Sequence, residues 1–159
     1  MAHELEIVNG NAQMAYVGDV PWHGLGTKVP ADLTPDQFMV KAGLDWTVEK
    51  EDILTRSGIK VKNKQALVRS SDGSILDVVG NGWNPVQNAE AFNFFEEYVT
   101  AGDMEMHTAG SLKDGQMVWA LAKTKDSFEL FNGDQTDNYF LFTNPHQFGK
   151  AINIRMTPI

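Results

Sequence analysis

Two hydrophobic periods share this chain, and their order limits what it can fold into. Between residues 88 and 101 the apolar side chains recur with helical spacing: Phe92, Phe95 and Val99 stand at i, i+3 and i+7, with Ala91 and Tyr98 alongside. On either side the period is two. Leu44, Trp46 and Val48 alternate with Asp45, Thr47 and Glu49, and Met104, Met106 and Thr108 alternate with Glu105 and His107. Short apolar runs at 59–61, 67–68, 75–76 and 78–79 are broken at Ser57-Gly58, near Asn63-Lys64 and at Ser71-Asp72-Gly73. That is the spacing of antiparallel hairpins. Residues 117–122 form a nearly continuous apolar run suited to a central strand covered on both faces, and 139–142 and 151–156 read as further strands. Strands, helix and more strands predict an α+β fold with a largely antiparallel sheet and a helix packed on it.

The ends of the helices are marked. Asn88 can cap the long one, Glu90 suits its first turn and Gly102 closes it. A shorter helix is expected over 35–42, with Thr34 as cap, Pro35 at the first position, Asp36 at the positive end, Phe38, Met39 and Ala42 as apolar face, and Gly43 after the last turn. Residues 1–30 are rich in turn formers (Asn9, Gly10, Gly18, Pro21, Gly24, Gly26, Pro30) and predict an irregular N-terminal arm anchored by Trp22 and Leu25. No repeat or linker divides residues 1–159, so a single domain is expected. The strand-like 153–157, followed by Pro158 and Ile159, suggests a truncated version of something longer.

Thirteen Lys and Arg against twenty-one Asp and Glu give a charge of −8, which repels phosphate and anionic lipid on average. Cys is absent, which excludes disulfides, thiolate zinc sites and a thiol nucleophile and fits a reducing cytoplasm. No stretch approaches the ~18 apolar residues of a membrane span, and the N-terminus lacks the features of a signal peptide. A cytoplasmic protein with no membrane partner is expected.

Met1-Ala2-His3-Glu4-Leu5 and Pro21-Trp22-His23-Gly24-Leu25-Gly26-Thr27 resemble the opening blocks of the phage/plasmid-like proteins, a prokaryotic domain family of unknown function. Ala42-Gly43-Leu44-Asp45-Trp46 is similar to that family's next block, residues 80–88 (GNGWNPVQN) to its central block, and residues 154–159 (IRMTPI) to the start of a later one. The resemblance implies a phage or plasmid origin in a host cell's cytoplasm and a longer parent pattern. It implies no established activity. By fold-level analogy the resemblance also implies a distant relation to ring-forming single-strand DNA annealing proteins, which likewise wrap an antiparallel sheet around a helix and are carried by phages.

The strongest local feature is Lys60, Lys62, Lys64 and Arg69, with no acidic residue between them. In an extended strand the three lysines share one face about 6–7 Å apart and can track a phosphate backbone. The ordinary reading is a solvated edge strand whose lysines block aggregation. Trp83, between Gly82 and Asn84-Pro85, can stack on a base or plug the space between helix and sheet. His23 among glycines is the most catalysis-like position, and a tight structural turn is the ordinary reading. His3, His23, His107 and His146 share no metal-ligand spacing. Glu105 and His107 share one strand face, which permits a pair, and a cross-strand polar contact is the ordinary reading. Asp134 and Asp137, with Gly133 and Asn138, lack calcium-loop spacing. Glu96-Glu97 read as a solvated helix face, and Ser111 and Ser127 lack an activated-nucleophile signature. Tyr139, Phe140, Phe142 and Phe148 read as core within a single domain, or, in a truncated chain, as partly exposed or bound to another copy.

These readings lead to a phage- or plasmid-encoded protein that binds or anneals single-stranded DNA as a homo-oligomer, with the lysines and Arg69 on phosphates and Trp83 on a base. No cofactor is indicated and catalysis is disfavoured. The alternative is an acidic interaction module that engages a host protein, which the −8 balance favours.

Overall fold

The computed structural model describes residues 4–125, 128–130, 134–136 and 138–158. Its strands are β1 (Ile7–Val8), β2 (Asn11–Ala12), β3 (Met14–Tyr16), β4 (Thr27–Lys28), β5 (Val48–Leu54), β6 (Lys60–Arg69), β7 (Ile75–Gly80), β8 (Met104–Leu112), β9 (Met117–Thr124), β10 (Phe128–Leu130), β11 (Asp134–Thr136), β12 (Asn138–Pro145) and β13 (Asn153–Pro158). The helices are α1 (Pro35–Lys41) and α2 (Asn88–Thr100). Six strands form one sheet in the order β13-β12-β9-β8-β3-β4, and β5-β6-β7 form a separate meander. The α+β class is as expected. The sheet is mixed, because β3 and β4 pair in parallel; the other ladders among the described residues are antiparallel.

Both helices start and stop for visible reasons. At α1 the Thr34 hydroxyl accepts from the Gln37 N–H at 3.2 Å, and the Gln37 side chain accepts from the Thr34 N–H at 2.9 Å. This is the reciprocal box that satisfies two orphan donors. Gly43 and Gly102 take positive φ (77° and 83°) just past the two helix ends. There the Leu44 N–H reaches the Met39 carbonyl and the Asp103 N–H the Tyr98 carbonyl, which ties off the last turns. The start of α2 differs from expectation. Asn88 is its first residue and is buried, and Gln87 flanks it without a side-chain cap. The Gln87 amide is engaged elsewhere: it accepts from the Val48 N–H at 2.8 Å and donates to the Val48 carbonyl at 2.9 Å. Asn88 donates to the Leu44 carbonyl at 3.0 Å. Together they fasten residues 44–48 to the helix start.

The core lies between the helices and the two sheets. Phe38 of α1 and Phe92 and Phe95 of α2 are fully buried with Ala109, Val118, Ala120 and Ala122 of the six-stranded sheet and Leu67, Leu76 and Val79 of the meander. The alternation at Leu44, Trp46 and Val48 is real as burial, yet the strand begins only at Val48. β9 is central, with Val118, Ala120 and Ala122 buried on one face and Met117, Trp119 and Leu121 only partly covered on the other. The arm over 1–30 is less irregular than expected. Met14–Tyr16 is a buried strand that pairs with β8, because Ala15 must fill the core beside Ala109. Trp22 is 76% exposed and does not anchor the arm.

Candidate nucleic-acid interface

β6 carries all four cations singled out in the sequence, and its two halves treat them differently. Near its C-terminal end Arg69 is 4% exposed. Its NH1 donates to Glu6 Oε1 at 2.8 Å, and its NH2 lies 2.8 Å from both Glu6 Oε2 and Asp72 Oδ2. Nε donates to Asp72 Oδ1 at 3.2 Å, and the guanidinium carbon lies 5.2 Å from the Trp46 ring. Burial works against the charge, but the hydrogen bonds to Glu6 and Asp72 outweigh it and hold the guanidinium above its ordinary pKa. The Asp72 carboxyl is held well below the usual carboxylate range, first by Arg69 and then by the Ser74 N–H and hydroxyl. Ser111 donates to Glu6 Oε1 at 2.9 Å. Clefts of about 630 and 260 Å³ flank this cluster, but every guanidinium nitrogen is already engaged by a carboxylate. Arg69 therefore ties the N-terminal arm to the meander and is not placed to hold a phosphate.

At the other end the expected straight row of lysines is replaced by a bulged corner. Leu54 pairs with Lys60 and Asp52 with Gln65, so β6 spends more residues than β5 between the two pairs. Asn63 takes a positive φ of 62°, a conformation that asparagine tolerates better than most residues. The strict alternation ends there. Lys60, Lys62 and Lys64 all remain exposed. Lys60, Lys62, Asn63 and Asn81 line a shallow hollow of about 340 Å³. Lys64 pairs with Gly80, the residue before Asn81, and its Nζ lies 5.8 Å from the Phe148 ring centroid. Lys50 joins the same corner, donating to the Asn81 carbonyl at 2.9 Å and the Asn84 side chain at 3.1 Å. The lysines thus surround the turn after β7. Among the described residues, Asp52 is the carboxylate ion-paired with them, 3.5 Å from Lys60, both side chains at least half exposed. Such a pair contributes about 0–1 kcal/mol and exchanges readily.

The two aromatics near this corner are placed differently. Trp83 donates its backbone N–H to the Gly80 carbonyl at 3.1 Å, and its half-buried ring packs against the core, so it serves as the plug. Phe148, for which core and exposure were both open, is 63% exposed beside Lys64. The signal for it was its place in a polar loop, between Gln147 and Gly149, rather than in the preceding apolar strand.

The other candidates fall elsewhere. His23 Nδ1 accepts from the Leu25 N–H at 3.0 Å inside a turn where Gly24 and Gly26 have positive φ. His107 stands at a bulge with its ring edge-on to Tyr139, 5.2 Å between centroids; burial, then the nearby Lys123, lower its pKa. His146 is fully buried, with Nε2 3.0 Å from Asn88 Oδ1, and desolvation brings its pKa down to about 4. Because Asn88 spends its NH₂ on Leu44, its oxygen faces the imidazole and the ring donates from Nε2. No group of three metal-ligating side chains occurs among the described residues. His3, Ser127, Gly133 and Asp137 lie outside them. No helix among the described residues is long and apolar enough to cross a membrane.

Residues 75–159 match the family model described as a domain of unknown function (DUF932). That span begins at β7 and includes the Gly80–Asn84 turn, α2 and Phe148, whereas Lys60, Lys62 and Lys64 precede it. No curated protein and no solved structure matches the chain.

Proposed function

This chain belongs to the DUF932 family, whose function is not established, and from its own geometry we propose that it binds single-stranded DNA at the corner formed by Lys60, Lys62, Lys64 and the Gly80–Asn81 turn. The observation that supports this reading is the gathering of exposed ammonium groups at one corner of a body that carries −8 overall. Phosphates gain from such a corner through counterion release, while the rest of the surface repels them and confines the strand to it. Annealing then needs no covalent chemistry: it needs phosphate repulsion screened and base edges left open to a second strand. A homo-oligomer would align several corners along one strand. A phage or plasmid origin and a cytoplasmic site of action complete the reading.

The test is fluorescence anisotropy with labelled oligo-dT across a salt series. The expected result is binding at low salt that weakens linearly in log–log form, by roughly 0.7 per phosphate contacted. The triple substitution Lys60→Glu, Lys62→Glu, Lys64→Glu should abolish it while the circular dichroism spectrum is retained. Absence of wild-type binding at low salt overturns the proposal, and the acidic module engaging a host protein then takes its place.

A further inference from the structure

We infer that Phe148 is the ring on which a base of the bound strand stacks, with Lys64 holding the adjoining phosphate. This rests on the reading above and assigns the site its aromatic platform. Three observations carry it. The first is exposure: Phe38, Phe92 and Phe95 are fully buried and Phe142 is 4% exposed, yet Phe148 leaves 63% of its surface in water. The second is fixation. The Phe148 N–H donates to Asp77 Oδ2 at 2.6 Å, and the other oxygen of that carboxylate accepts from the Val78 N–H at 2.8 Å. Asp77 thereby pins the loop to β7. Two residues earlier, buried His146 anchors the same loop through its N–H to the Gln116 carbonyl at 2.8 Å. A ring whose backbone is held in this way loses little freedom when a base settles on it. The third is the cation. Lys64 Nζ sits 5.8 Å from the ring centroid, so the negative face of the ring and a phosphate-binding group are presented together. A nucleotide offers the matching pair, a flat base and an anion one linkage away. Stacking of this kind tolerates any base, as annealing requires.

The experiment compares wild type, Phe148→Ala, Phe148→Trp and the triple lysine substitution, all as the full chain, on two probes. One is labelled oligo-dT; the other is an abasic oligodeoxyribose phosphate of equal length, which keeps the charges and lacks the bases. Phe148→Ala should lose roughly tenfold on oligo-dT and nothing on the abasic strand. Phe148→Trp should restore oligo-dT binding, with added quenching of tryptophan fluorescence. The triple substitution should lose both probes. If Phe148→Ala binds both strands as wild type does, the ring does not stack and this inference fails while the lysine reading stands. If Phe148→Ala weakens both strands equally, the ring only positions Lys64, and stacking is again overturned. If wild type binds neither, the lysine reading falls and this inference with it.

Discussion

Arg69 and Lys60 sit on one strand, nine positions apart in sequence, and each meets carboxylates, yet the two encounters differ in kind. Arg69 is surrounded. Glu6 approaches from the N-terminal arm, Asp72 from the turn after β6, and Trp46 covers the guanidinium plane. Water is largely kept from the guanidinium and from Glu6, so each depends on the other. Lys60 meets Asp52 at 3.5 Å in open solvent, where salt and water compete for both. A run of basic residues read along a strand therefore has no single meaning. Where a strand enters the core, its cation becomes structural cement; where it leaves, its cations stay exchangeable and open to an outside anion.

The buried end should respond most strongly to substitution. Arg69→Met leaves Glu6 buried without its partner and should cost about 3–5 kcal/mol in urea unfolding. Adding Glu6→Leu should recover part of that loss, because the stranded charge goes as well. An unchanged unfolding midpoint in Arg69→Met would erase the distinction between the two halves of β6.

Next comes acid. His146 anchors the Phe148 loop and is neutral in the folded protein, with a pKa of about 4 against an ordinary value of 6.5. The unfolded chain takes up the proton first as pH falls. Stability contributed by the neutral ring is therefore complete above about pH 6.5 and is lost progressively towards pH 4, by up to about 3 kcal/mol. Denaturant titrations at several pH values check this, and His146→Gln should flatten that part of the profile. A profile equally steep in the variant would place the acid sensitivity elsewhere.

The smallest effect belongs to the exposed end. Lys60→Ala should move the unfolding free energy by less than about 0.5 kcal/mol, and high salt should mask even that. A larger loss would show that the fold relies on Lys60 in the way it relies on Arg69.

Much of the architecture was legible because local chemistry and global packing agree. Thr34, Pro35, Gly43 and Gly102 mark helix ends that form where those residues predict, with α1 and α2 each ending one residue earlier than expected. Alternation around Trp46 reports burial correctly even where no ladder forms. Long-range partners were not legible. Nothing near Arg69 announces Glu6, which stands 63 positions away, and nothing near Gln87 announces Val48. Capping chemistry pointed to Asn88, but the neighbouring amide was drawn to a strand and Asn88 itself was buried. The break near Asn63 was visible, and an asparagine in left-handed geometry is what curls the lysine row into a corner. For Phe148 the aromatic run left core and exposure both open, because its loop position and its clamp by Asp77 depend on the fold.

The Gln87 amide also closes part of a sheet margin. β5 lies at the margin of its meander, and the Val48 N–H and carbonyl point away from β6. A side-chain amide meets both, as a neighbouring peptide group would. The first residue of that margin has no backbone group left to recruit a stray chain, so the helix start also guards the protein against self-templated aggregation at this spot.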